Sequence, residues 1–102
     1  MAQVVWSEPA LIDLEDIAGY ISLDNPDAAH KLVQRVVRRT RQLEKQPKSG
    51  PTLPDFPDDR YRVLSEPPCR VFYVIESSTV HILRVLRTER LIRPSFFEDS
   101  KE

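Results

Sequence analysis

The stretch "RVFYVIESSTVHILRVLR", Arg70 to Arg87, decides how this chain folds. Two β-rich runs flank Ser77-Ser78, and the polar pair between apolar segments predicts a tight antiparallel hairpin. With the turn at the serines, Ile75 is expected opposite Val80, Tyr73 opposite Ile82, and Val71 opposite Arg84. Side chains alternate along a strand. Val71, Tyr73, Ile75, Val80, Ile82 and Leu86 therefore form one apolar face, with Arg84 near its margin. Arg70, Phe72, Val74, His81, Leu83, Val85 and Arg87 form the other, and Arg70 and Arg87 become neighbours on it.

Upstream of the hairpin the pattern is helical. "AQVVW" is a short β-rich run, and Ser7 with Pro9 then gives a helix start. Leu11, Leu14, Ala18 and Ile21 recur at steps of three and four, which predicts one apolar helix face. Asp24 or Asn25 caps a second helix with Pro26 at its first position, running to about Gln46 and turning Ala29, Val33, Val36 and Leu43 inward. Two or three residues between the helices force an antiparallel pair. "KSGPTLPDFPDDR" is a proline-rich connector, "YRVLSE" a further strand, and Pro67-Pro68 a break before the hairpin. The order β-α-α-β-β-β predicts an α+β domain: a small, mostly antiparallel sheet with a helical hairpin on one face. The domain is expected over residues 1–97, and residues 98–102, EDSKE, as an acidic tail that frays.

Composition narrows the function classes. A chain of 102 residues with 40% hydrophobic content is one small domain. No apolar run approaches the roughly 18 residues of a membrane span, and no signal peptide is visible, so a cytoplasmic protein without membrane contact is expected. The single cysteine, Cys69, follows Pro67-Pro68 with no histidine nearby and reads as structural. Two distant histidines and one cysteine fit no metal-ligand spacing, and Gly19 and Gly50 cannot form a phosphate loop, so no cofactor is expected.

The net charge of −1 hides a strong asymmetry. Residues 8–27 hold six acids and no base, residues 31–48 seven bases and Glu44, and residues 60–97 seven arginines and three glutamates. The basic stripe Lys31, Arg35, Arg38, Gln42, Lys45 is expected to form exposed ion pairs with the acidic first helix rather than a nucleic-acid face. On the sheet face turned away from the helices, apolar Phe72, Val74, Leu83 and Val85 are rimmed by arginines suited to carboxylate or phosphate. That face is expected to be a partner-binding groove; the alternative is that the connector and C-terminal segment cover it.

The stretches "VVWSEPALIDLEDIAGYISLDNPDAA", "RRTRQLEKQPKSGP" and "YRVLSEPPCRVFYVIESSTVHILRVLRTER" resemble the ParE/RelE superfamily of bacterial toxins, and the likeness spans residues 3 to 93. W-S-x-x-A-x-x-D-L, D-N-P between the helices, and R-V-F-Y-V-I followed by I-L-R-V-L-R carry it. The resemblance implies the toxin of a type II toxin–antitoxin pair, a hetero-oligomer with a cognate antitoxin that wraps it. The RelE-like branch implies a ribosome-dependent, metal-free mRNA endonuclease. Arg70 matches that branch's hairpin arginine, and Arg87 and Arg90 fall where further basic residues occur. Yet no tyrosine, histidine or lysine follows Arg87 before Lys101, while Phe96 and Phe97 have no proton to give. His30 and His81 read as structural. The ParE-like branch implies an inhibitor that binds DNA gyrase and is the branch expected here, although Arg87 stands where histidine is frequent. The expected binding residues are Arg70, Phe72, Val74, Leu83, Arg84, Val85, Arg87, Arg90, Phe96 and Phe97. Arg70, Arg87 and Glu89 are the weak catalytic candidates, with Glu66 and Glu76 the other glutamates near the groove. A binding homologue without toxicity remains a third reading.

Overall fold

The structure is a computed structural model, and it describes residues 1–53, 56, 60–90, 92 and 97. Strand β1 (Gln3–Trp6) leads into helices α1 (Glu8–Ser22) and α2 (Pro26–Arg41), and α2 tightens into a 3₁₀ turn over Gln42–Glu44. Strands β2 (Arg62–Glu66), β3 (Cys69–Glu76) and β4 (Thr79–Arg87) follow. The four strands form one sheet in the order β1-β4-β3-β2, with β1 parallel to β4 and the other pairs antiparallel. No described helix is long and apolar enough to cross a membrane.

Both helix starts follow from local chemistry. Ser7 Oγ accepts from the Ala10 N–H and donates to the Leu83 carbonyl, so one hydroxyl caps α1 and ties it to β4. Asn25, rather than Asp24, caps α2 through a bond from the Ala28 N–H, with Pro26 next, where a missing N–H costs nothing. The buried stripe of α1 is Ala10, Leu14 and Ile17; of the expected stripe Leu14 is buried and Ile21 packs against the core, while Ala10 and Ile17 take the places expected for Leu11 and Ala18. Leu11 is 53% exposed, because Ser7's bond to β4 sets the rotation of the helix. In α2 Leu32 and Thr40 join Ala29 and Val36 inside, Leu43 is buried in the turn beyond, and Val33 is only half-buried.

The hairpin turns at Ser77-Ser78 as expected, with Ser77 in the left-handed region at φ 56°. Ile75 pairs with Val80 and Tyr73 with Ile82, also as expected. The register then slips: Phe72 opposes Arg84 and Val71 opposes Val85, leaving Leu83 as the extra residue of a β-bulge. A bulge puts two residues against one, so alternation changes phase across it. Before it the even-numbered residues of β4 face the helices; after it Val85 and Arg87 do. The expected faces are corrected accordingly. Val85 lies in the helix-side core with Val71, Tyr73 and Ile82, and Leu86 lies on the opposite side with Phe72, Val74 and Leu83.

That opposite side is not an open groove. Leu53, Phe56, Tyr61, Ile92 and Phe97 pack onto it, so Phe72, Val74 and Phe97 are fully buried and Leu83 is 1% exposed. Phe97 stacks on Tyr61 at 4.8 Å and meets Phe72 at 5.4 Å and Phe56 at 5.5 Å between ring centroids. The chain covers its own apolar surface, which at about 25 cal/mol per Å² is a strong drive. The connector is stapled to the sheet by Tyr73, whose hydroxyl accepts from the Gly50 N–H at 3.0 Å and donates to the Pro47 carbonyl at 2.8 Å.

Candidate functional site

The arginines gather at the end of the sheet where β3 begins and β4 ends. Cys69 pairs with Arg87 and Arg70 with Leu86 across the hairpin. Because the bulge has changed the phase of β4, Arg70 and Arg87 stand on opposite faces rather than side by side. Arg70 lies over the Phe72 ring at 5.4 Å and donates through Nη2 to the Arg90 carbonyl at 2.8 Å. Its Nε is buried and meets no acceptor. Arg87 lies on the helix side, 5.7 Å from the centroid of the exposed Tyr20 ring, with Nε donating to Glu89 at 2.8 Å.

Glu89 stands between two hollows. One, about 390 Å³, is lined by Asp16, Ile17, Tyr20, Arg87 and Glu89. The other, about 340 Å³, lies among Arg70, Thr88, Arg90 and the apolar Leu53, Phe56 and Ile92, with Glu89 on its wall. A hydrogen bond from its own backbone N–H, helped by Arg87, holds the Glu89 carboxyl below its ordinary range. A carboxylate held that way is a weaker base, so the catalytic role considered for Glu89 loses its chemical advantage.

Two more arginines reach this end from α2. Arg35 Nε donates to Glu66 at 3.1 Å, its Nη2 to the Pro67 carbonyl at 3.1 Å, and Arg39 lies 3.4 Å from the other Glu66 oxygen. The expected pairing of the basic helix with the acidic helix is thus replaced. Among the described residues Arg35 and Arg39 of α2 pair with Glu66 of β2, Lys31 pairs with Asp27 in its own helix, and Asp13 of α1 pairs with Arg84 of β4.

Arg84, expected among the binding residues, is instead committed to the fold. Its Nε and Nη2 grip the Asp13 carboxylate at 2.6 and 2.9 Å, and the Val85 N–H donates to the same carboxylate at 3.0 Å. Phe72, Val74, Leu83, Val85 and Phe97 are buried and present no surface, while Arg70, Arg87 and Arg90 remain at the rim. Phe96 lies outside the described residues. Cys69 is fully buried, and burial pushes its thiol above the ordinary range despite Arg87 and Arg35 nearby. His81 sits 3.6 Å from Glu76 near the hairpin turn, far along β4 from Arg87, and His30 is exposed on α2. Among the described residues no group of three or more His, Cys, Asp or Glu side chains could hold a metal ion.

Two residues of this end were not read from the sequence. Tyr20, whose ring carries Arg87, is exposed and lies outside the apolar stripe, so the periodicity gave it no role. Asp13 had a usable signal: an acid three residues after Ala10 and four before Ile17, on the buried side, calls for a partner.

Comparison with known proteins agrees with this architecture. The family described as "ParE toxin of type II toxin-antitoxin system, parDE" matches residues 4–92. Toxin RelE2 of Caulobacter vibrioides is 33% identical over 95 residues, covering 89% of this chain and 100% of that protein. The structure of a chromosomal ParDE toxin–antitoxin system from P. aeruginosa superimposes with a TM-score of 0.72 at 28% identity, over 87% of this chain and 98% of that one. A copper-bound mutant toxin from Helicobacter pylori shares the fold, with a TM-score of 0.60 at 15% identity, over 90% of this chain and 100% of that one. The chain belongs to the ParE toxin family of type II toxin–antitoxin systems.

Proposed function

We propose that this toxin acts by binding and inhibiting DNA gyrase in the bacterial cytoplasm, and that a cognate antitoxin neutralises it. The observation that carries this reading is the state of the sheet end. Arg70, Arg87 and Arg90 bring three guanidiniums to this end, and Glu89, which lines both hollows, is bonded to Arg87 and held as an anion. This equipment suits recognition of an acidic or phosphate-bearing surface better than proton transfer. Membership of the ParE family supports the same choice and carries with it an antitoxin partner.

One observation favours a second reading, a metal-independent endoribonuclease acting on ribosome-bound mRNA. Tyr20 presents its ring, 68% exposed, against Arg87, so a phenol and a guanidinium share one hollow. A phenol can transfer a proton while a guanidinium steadies a phosphate. The test sets the two against each other with the purified chain. Inhibition of gyrase supercoiling that is weakened by Arg70→Ala or Arg87→Ala, with intact mRNA on programmed ribosomes, supports the gyrase reading. Cleavage of ribosomal A-site mRNA abolished by Tyr20→Phe or Glu89→Gln overturns it.

A further inference from the structure

Helices α1 and α2 pack their buried stripes on one face of the sheet, and each turns a second stripe away from it. On α1 the outward residues are Glu8, Ile12, Glu15, Asp16, Gly19 and, at the cap, Leu23, all exposed. Ile12 is 49% and Leu23 80% exposed. On α2 they are Asp27, Lys31, Gln34, Arg38 and Arg41, also exposed. One stripe is acidic and partly apolar, and the other is basic. Within the chain they do not neutralise each other. Among the described residues Glu8, Glu15, Asp16, Arg38 and Arg41 make no ion pair, and Lys31 pairs only with Asp27 of its own helix.

A chain that carries both halves of a complementary pair on one surface can satisfy them with a second copy of itself. The two helices are antiparallel and nearly equal in length, about 22 and 24 Å at about 1.5 Å per residue. A two-fold axis parallel to them lays α1 of each copy along α2 of the other, again antiparallel. Such an axis leaves heights unchanged, so residues can be matched by counting from the connection at residues 23–25. Glu8 comes level with the second copy's Arg41, and Ile12 with its Val37 and Arg38. Glu15 comes level with its Gln34, within reach of Lys31 and Arg38. Gly19 falls near the second copy's Lys31. A Cβ at Gly19 would meet nothing within 4 Å in this chain, which leaves room for the lysine stem.

The alternatives are less well matched. Packing α1 on α1 would set acid against acid, and a nucleic acid would meet the bases of α2 only beside the acids of α1. We propose that the outward faces of α1 and α2 are a self-complementary interface through which two copies of this chain pair, their four helices forming one bundle. Two helices, each about 10 Å wide and about 22 Å long, offer roughly 440 Å² of flat face per copy, below the roughly 800 Å² of a standard interface. The dimer is therefore reversible and forms as concentration rises.

Sedimentation equilibrium of the purified full chain is expected to pass from the mass of one copy to that of two, and to need higher concentration in higher salt. Glu8→Lys with Glu15→Lys, and separately Arg38→Glu with Arg41→Glu, are each expected to weaken pairing by about tenfold or more. Ile12→Lys, a single exposed change, should weaken it as well. An equimolar mixture of the two double variants should pair again, because the reversed α1 then meets the reversed α2. Melting at dilution identifies the variants that keep the fold. A wild-type chain that stays monomeric at every concentration overturns the proposal. So do folded variants that pair like the wild type, or a mixture of folded double variants that pairs no better than its parts. A monomeric wild type whose gyrase inhibition falls with Glu8→Lys and Glu15→Lys assigns the face to that target instead. Dimers that leave gyrase supercoiling untouched keep the interface and overturn only the gyrase reading.

Discussion

Asp13 of α1 and Arg84 of β4 form a two-point ion pair at 2.6 and 2.9 Å, one residue beyond the bulge at Leu83. The same carboxylate takes the Val85 N–H, which the slipped register leaves beside it. The pair therefore holds the bulge itself, and with it the side of the sheet on which Arg87 stands. Both side chains are less than one-fifth exposed, so removing one leaves the other partly buried and uncompensated.

Asp13→Ala is accordingly expected to cost roughly 3 kcal/mol of stability, and Arg84→Ala a comparable amount. The double variant should cost much less than the sum, because each single change strands the other's charge. Urea unfolding of the four proteins checks this; additive losses would mean that the two groups act independently.

Gly50 is held where no side chain fits. A Cβ there would lie 2.6 Å from the Val63 carbonyl and 2.8 Å from the Tyr73 hydroxyl. Gly50→Ala is expected to destabilise the chain, and Tyr73→Phe to cost about 1–3 kcal/mol by leaving the Gly50 N–H and Pro47 carbonyl without their partner. Thermal melts of both variants decide it, and a Tyr73→Phe protein as stable as the wild type would show the staple to be dispensable.

Glu89 offers a pH readout. Its folded value is depressed below the ordinary 4.5, so its contribution is present above that pH and is lost as pH falls through the folded value. A carbon-13 titration of its carboxyl should therefore find a midpoint below 4.5. Arg87→Gln should raise that midpoint only in part, since the backbone hydrogen bond is the larger cause. A midpoint at or above 4.5 in the wild type would refute the pairing in solution.

Cys69 should behave as an inert thiol. It is fully buried and its ionisation is pushed upward, and the thiolate is the reactive form. Ellman's reagent is expected to modify it at neutral pH only after denaturant is added. Rapid labelling of the native protein would place the thiol at a surface.

The helical hairpin, the order of elements and the turn at Ser77-Ser78 were legible because each has a local signal: caps at Ser7 and Asn25, Pro26 after the cap, and two serines between apolar runs. The pairings Ile75 with Val80 and Tyr73 with Ile82 followed from counting outward from the turn. Counting failed at Leu83. In "ILRVLR" both alternation phases put apolar residues on both faces, so hydrophobicity does not register an extra residue. That one residue moved Val85, Leu86 and Arg87 to the sides opposite those expected. The covering of the far face was foreseeable only as an alternative, since aromatic residues in a proline-rich connector carry no period that says where they land.

The parallel pairing of β1 with β4 joins Gln3 to Thr79 and Trp6 to Ile82. Contacts this distant in sequence demand a costly loop closure before they return any stability, which slows folding. As the chain is synthesised, α1 and α2 emerge early with the inner faces of Ala10, Leu14 and Leu32 still bare, and nothing can seal them until β4 has been made. Until then the arginine end of the sheet, which β3 and β4 build together, does not exist either, so the core and the candidate site are completed by the same late pairing.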